Sequence, residues 1–368
     1  MKSINFDFNF DLDLIDFIRS GYLLTAAAIL AVNQIPFLQG LIAYGARASD
    51  AIPVGERGEK KKKQTKKQTK EQTDELNEDA SDDEDDDDAI QVTTTLTSSS
   101  PSPSPPSPSN NSPLQSLVSC LASYSVPHTY FTHFYVLSCL SSLLWAHQLY
   151  FRGPLFTLLA RLAQRRGKDL SLDADASVTL NQLLLCWIVL TCQGARRLAE
   201  CISFFKPSAS RMWIVHYLVG IAFYVTVNIA IWIEGVGTLT NPTTTPFTFT
   251  PFIPLTNLFP VTAIILASGI QHDCHHYLSS LPKYTLPTEH VAFLNIISPH
   301  YTAECIIYLS LAFLAAPQGQ VVNKTVLSAA VFVVVNLGVS AGNSKRWYEK
   351  KFGAEGVKGR WKMVPGIY

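Results

Sequence analysis

The sequence has no GxGxxG turn, no CxxC or HExxH spacing, and almost no charge inside its long apolar runs. Without the glycine-rich turn there is no strand-turn-helix element to bring backbone up to a pyrophosphate, which argues against a Rossmann-type nucleotide fold. Without the paired spacings there is no closed tetrahedral set of the kind zinc occupies. The seven cysteines, Cys120, Cys139, Cys186, Cys192, Cys201, Cys274 and Cys305, are odd in number and lie mostly within or beside apolar runs, so they form no disulfide framework. A cleavable signal needs a basic leader, whereas this N-terminus carries Asp7, Asp11, Asp13 and Asp16; the first apolar run is expected to act as its own insertion signal. The formal net charge of zero averages very unlike regions and names neither an acidic nor a basic partner. Neither nucleic acid nor an obligate protein partner is expected.

What is present in quantity is apolar length. Uncharged stretches run over Gly21 to Tyr44, Phe131 to Phe151, Ala176 to Ala195, Met212 to Ile233, Phe252 to Ile270, and Lys324 to Gly342 past its first residue. A further block, Phe293 to Ala316, is equally apolar but encloses Glu304. Each reaches or approaches the roughly 20 residues a helix needs to cross a bilayer. The expectation is an all-α, polytopic membrane protein of about seven transmembrane helices with a disordered loop insertion.

That insertion follows a first transmembrane segment in residues 1–50. From 51 to 115 the chain passes through "EKKKKQTKKQTK", "SDDEDDDD" and "TSSSPSPSPPSPSNNSP", too poor in apolar surface to offset the cost of ordering it. It reads as a solvated, low-complexity linker on the cytosolic side, and 116–368 as the membrane catalytic domain.

Lysine and arginine collect on the cytosolic side of membrane proteins. This puts the basic linker, "GARRLAECISFFKPSASR", the histidine-rich loop and the tail "SKRWYEKKFGAEGVKGRWK" in the cytosol. The basic connection "RLAQRRGKDLSLDADA" then falls on the opposite side and conflicts with the rule. The sequon "NKT" at Asn323 falls there too, in a loop so short that it keeps the asparagine close to the membrane.

Ionisable groups inside apolar helices are expensive and mark functional sites or interhelical bonds. Glu304 is the sharpest case, and His300 lies four residues before it on the same helical face. His133 and Tyr135 stand near the start of the second run. Arg196 and Glu200 have the spacing of a local ion pair, which leaves Arg197 to point outward towards a phosphate. In "GIQHDCHHYLSSLPKY" the three histidines suggest metal, but if the helix continues past Gln271, His272 and His276 share a face while His275 falls about 60° short of it. The tail mixes cations with aromatic rings and suits either anionic lipid or a dinucleotide.

Taken in order, "VPHTYFTHFYVLS", "RRLAEC", "QHDCHHYLSSL", the "LP" at Leu286, "SPHYTAECIIYLS", "WYEKKF" and "VPGIY" resemble the steroid 5α-reductase family, and within it the polyprenal (polyprenol) reductase branch. The resemblance covers roughly Val126 to Tyr368, with 260–368 as the reductase and nucleotide-binding part. It implies an endoplasmic-reticulum membrane enzyme that uses NADPH to reduce a double bond conjugated to a carbonyl. The implied substrate is polyprenal, a long-chain isoprenoid aldehyde taken from among membrane lipids and converted to dolichal for dolichol and protein N-glycosylation.

Motif by motif, the implied cofactor contacts are Arg197, Gln271, His275, Tyr284, His300, Glu304, Tyr348 and Arg360. Steroid-reducing relatives hold the ketone with a Glu on the second span and a Tyr on the third. Here the tyrosine position falls near Gly194 and the second span has no Glu, so His133 and Tyr135 stand in as the catalytic groups. Thr285 and Lys345 replace a family arginine and histidine. Two other readings stand beside this one: an isoprenylcysteine methyltransferase-like enzyme, and a non-enzymatic lipid-binding scaffold.

Overall fold

The computed structural model describes residues 13–38, 120–121, 123–164, 178–207, 210–240 and 255–368. The linker at 51–115 and the connections at 165–177 and 241–254 lie outside the described residues.

The helices are α1 (Leu14–Gln34), α2 (Phe131–Tyr150), α3 (Pro154–Gln164), α4 (Leu180–Ser203), α5 (Ile214–Ile233), α6 (Val236–Thr240), α7 (Leu255–Ser280), α8 (Val291–Asn295), α9 (Pro299–Leu314) and α10 (Lys324–Phe352). Every apolar run of the sequence carries a helix. Three of them, α1, α5 and α10, are long and apolar enough to cross a membrane. In lipid a helix satisfies its own backbone, which is why uncharged runs of this length take no other form.

Two short strands qualify the all-helical expectation. β1 (Ser125–Pro127) pairs antiparallel with β2 (Arg211–Trp213), matching Val126 with Met212. They tie together the starts of α2 and α5, neighbouring helices that both line the site.

Helix ends follow their capping residues. Thr179 accepts the Gln182 amide at 3.2 Å to start α4, and Pro299 opens α9 at a position that needs no N–H. Gly353, at φ +84°, stops α10. Asn323 caps α10: its Oδ1 accepts Val326 N–H at 2.9 Å and its Nδ2 donates to Ala315 O at 3.2 Å. It is also 0% exposed, so the sequon is closed by packing as well as by its short loop.

Helix α1 begins seven residues earlier than the uncharged run at Gly21, and so includes Arg19. The charge is tolerated because Arg19 Nη2 donates to Glu234 Oε1 at 2.6 Å and its Nε to Thr325 Oγ1 at 3.0 Å. The start of α1, the end of α5 and the start of α10 therefore meet at one end of the bundle. Gln182 joins the start of α4 to the end of α9 through Leu314 O and Ala316 O, at 2.6 and 2.8 Å. At the other ends of α4 and α7, Lys206 Nζ donates to Leu281 O at 2.9 Å. Successive long helices thus alternate in direction, and the histidine-rich end of α7 lies with the end of α4.

Small residues bring α2 and α4 close. A Cβ added at Gly194 would come within 2.7 Å of Ser138 Oγ, and Trp187 Nε1 donates to Ser142 O at 3.1 Å. Close approach through Gly and Ser is how apolar helices associate when lipid removes the hydrophobic drive between them.

Candidate functional site

Seven of the helix runs converge on a cavity of about 330 Å³. Its walls are apolar over most of their length: Ala28, Ile29 and Val32 from α1, Val215 and Val219 from α5, and Phe332, Val333 and Leu337 from α10. At one side Tyr135, Arg197, Gln271, His275 and Glu304 reach the lining together, from α2, α4, α7 and α9.

Those five side chains form a connected polar cluster. Arg197 donates to Tyr135 Oη through Nε at 3.2 Å and Nη2 at 3.0 Å, with its guanidinium carbon 4.9 Å from the tyrosine ring centre. Gln271, only 2% exposed, donates to the Glu304 carboxylate. Gln193 Nε2 reaches both members of that pair, Gln271 Oε1 at 3.1 Å and Glu304 Oε2 at 3.2 Å.

Behind them Glu200 is the hub. Arg196 and His272 meet its Oε1, the histidine at 2.8 Å, and Arg197 and His275 meet its Oε2, the histidine again at 2.8 Å. A carboxylate that is 4% exposed requires such partners, since a buried charge without them is strongly unfavourable. The local ion pair expected between Arg196 and Glu200 is present. Arg197 differs from expectation: it turns inward to Glu200 and Tyr135, because both lie within reach of a side chain that is 11% exposed.

The histidines of the histidine-rich stretch separate by helical phase. Helix α7 continues to Ser280, so His272 and His276 both pack on Phe204, each with ring centres 5.8 Å away. His275 points to Glu200, Arg197 and the cavity. Its Nδ1 is 2.8 Å from Glu200 Oε2 and 2.6 Å from Arg197 Nη1; one of these is a hydrogen bond and the tautomer selects which.

The same geometry sets His133 apart from Tyr135. Residues two apart on a helix point about 200° apart, so Tyr135 enters the cavity while His133 faces out, exposed, with Nδ1 3.1 Å from Tyr217 Oη. His300 sits beside the cavity, its ring 5.4 Å from that of His275. Its buried Nδ1 has no hydrogen-bond partner among the described residues.

Tyr284, Tyr348 and Arg360 lie outside the cavity lining, in a layer of loop and tail at the same end. Arg360 Nη1 donates to Pro287 O at 2.8 Å. Lys351 Nζ donates to Tyr284 O at 2.8 Å and lies 5.0 Å from the Trp347 ring centre, and Tyr348 stacks edge-on against Trp347 at 5.2 Å. Tyr284 holds φ +66°, a strained conformation for a non-glycine residue that the Lys351 contact supports.

Gln193, Tyr224 and Tyr308 were not singled out by the sequence. Gln193 had a signal, a carboxamide in an apolar run one turn before Arg197. The two tyrosines line the cavity but look like any aromatic of a membrane helix until their neighbours are known.

An apolar cavity capped on one side by bonded acids, cations and a tyrosine, inside a helical bundle with membrane-length spans, suits an apolar molecule with one polar end. The family model described as 3-oxo-5-alpha-steroid 4-dehydrogenase matches residues 214–368. The chain is 30% identical over 243 residues to the polyprenal reductase of Saccharomyces cerevisiae, covering 66% of this chain and 75% of that one. It is 26% identical over 262 residues to the polyprenal reductase of Caenorhabditis elegans, covering 68% and 82%, and 27% identical over 249 residues to that of Homo sapiens, covering 62% and 74%. The chain belongs to the steroid 5α-reductase family, in its polyprenal reductase branch, and is an oxidoreductase acting on a CH–CH group.

Proposed function

We propose that this chain is an NADPH-dependent polyprenal reductase of the endoplasmic reticulum membrane, with about seven spans and a cytosolic C-terminus. It saturates the α-isoprene double bond of polyprenal to give dolichal, on the way to the dolichol that carries glycans for protein N-glycosylation. The observation that carries the reading is the pair Arg197–Tyr135 at the head of an apolar cavity.

A phenol oxygen has one hydrogen to donate and two lone pairs to accept with. Arg197 donates to the Tyr135 oxygen and Tyr224, its ring centre 5.3 Å away, shares a hydrogen bond with it, so the Tyr135 proton turns to the aldehyde oxygen when the substrate enters. The guanidinium behind it makes that proton a stronger donor as negative charge develops on the oxygen, which is the principle of an oxyanion hole.

NADPH fits the residues present on one count in particular: the unpartnered His300 Nδ1 beside His275 is a buried polar atom awaiting a ligand. Arg197, Gln271, His275, His300 and Glu304 would hold it at the cavity, and Tyr284, Tyr348 and Arg360 in the layer outside. When bound, it supplies the hydride that adds to C3 of the enal, and a proton at C2 completes the saturation. The Gln271–Glu304 pair fixes the carboxylate, while the apolar walls take the isoprenoid.

Protein in lipid nanodiscs should consume NADPH with polyprenal and yield dolichal by mass spectrometry. Methyl transfer from S-adenosylmethionine without NADPH oxidation would instead favour the methyltransferase-like reading.

A further inference from the structure

The cavity is closed at the end towards the start of α1 and the end of α5, just beyond Tyr135, whose ring centre is 5.3 Å from that of Tyr224. Its lining stops at Thr25 on α1, Tyr224 on α5, Tyr308 on α9 and Phe332 on α10. One turn further, Tyr22, Val227, Leu311 and Ala329 are all buried, at 6, 0, 0 and 0% exposure. Four rings close the floor around Phe223, with centres 6.1 Å to Tyr22, 5.5 Å to Tyr308 and 5.3 Å to Phe332. Tyr22 Oη donates to Thr226 Oγ1 at 2.8 Å, which fastens α1 to α5 at that level.

Size then limits what can be enclosed. An apolar cavity of roughly 150 Å³ holds one six-carbon benzene; the nicotinamide ring that must meet C3 takes about as much of the 330 Å³, which leaves room for roughly one or two five-carbon isoprene units. A longer chain cannot continue through the floor. It must turn out through the side of the bundle, into lipid. A unit left in lipid gains nothing on binding, because lipid tails are as apolar as the protein surface they would exchange for.

We infer that the site encloses only the aldehyde end of its substrate, about one or two isoprene units, and is indifferent to chain length beyond them. This rests on the reading of the chain as an isoprenoid-aldehyde reductase. Its substrates are then α-unsaturated isoprenoid aldehydes as a class, with short members turned over as efficiently as long ones once the cavity is filled.

The full chain in nanodiscs would be given α-unsaturated isoprenoid aldehydes of one, two, three, four and more than ten units, at matched mole fraction in the bilayer, with NADPH. The expected kcat/KM rises roughly tenfold from one unit to two and then stays within about threefold. The Phe332→Ala variant, which opens the floor, should shift the plateau to a longer chain. A further rise of roughly tenfold beyond four units in the wild-type protein, or an unchanged length profile in Phe332→Ala, overturns the proposal while leaving the reductase reading in place. If no aldehyde of any length is reduced, the reductase reading falls and this proposal falls with it.

Discussion

Arg197 and Tyr135 come from different helices, α4 and α2, and are joined by two hydrogen bonds to one oxygen, at 3.2 and 3.0 Å. Neither residue has its place without the other. The guanidinium is kept inside by the tyrosine and by Glu200, and the phenol, which also hydrogen-bonds with Tyr224, has one proton to give.

Tyr135→Phe should therefore lower kcat by about 100-fold or more with a small change in the KM for NADPH, as expected for removal of one donor to a developing oxyanion. His133→Ala, two residues away and facing out, should stay within about twofold of wild type, consistent with a surface substitution. Steady-state kinetics of both variants decide which of the pair acts in the reaction; equal losses would contradict the geometry.

Glu200→Gln removes the charge that holds Arg196, Arg197, His272 and His275. Breaking a buried ion pair from one side costs about 3–5 kcal/mol, so a clear fall in melting temperature in detergent is expected. Weaker NADPH binding should accompany it, measured by fluorescence titration of the variant protein. An unchanged melting temperature would mean the hub is not formed.

Gly220→Ala places a Cβ 2.6 Å from Phe134 Cζ. Phe134 is 3% exposed and stacked between Tyr217 and Tyr224, at 5.6 and 6.0 Å. It cannot retreat, so α2 and α5 must separate and carry Tyr135 with them. Activity should fall by roughly 100-fold, in line with an ångström-scale misplacement of a reacting group. Replacing Phe134 by Leu in the same protein should restore part of it.

Asn323→Gln should leave the electrophoretic mobility of the protein unchanged, because a buried helix cap carries no glycan. It should destabilise the fold by about 1–2 kcal/mol through loss of the cap, read as a lower melting temperature. A mobility shift would show that the sequon is used.

Much of the architecture was legible. An uncharged run near 20 residues has one low-energy form in lipid, so helix positions could be taken from the sequence directly. Boundaries were harder: α1 extends back through Arg19 because Glu234, more than 200 residues away, neutralises it and Thr325 accepts a hydrogen bond from it. The two short strands gave no signal, since three-residue pairs lack a readable period.

The site was legible residue by residue and not as an arrangement. Gln271, His275 and Glu304 stood out as polar groups in or beside apolar helices, and they do reach one cavity. Gln193 passed unnoticed, and Glu200 was taken for a local partner of Arg196 when it serves four residues on two helices.

By itself the sequence determined which segments are helical, which end of them gathers cations, and which few polar groups are paid into apolar surroundings. Those follow from local chemistry, the transfer cost of charge and the self-sufficiency of a helix. Only the tertiary structure decided that Tyr135 and not His133 enters the cavity, that Arg197 turns inward, and where the cavity ends. These depend on helical phase and on contacts between residues distant in the chain, such as Tyr22 with Thr226, which no local pattern encodes.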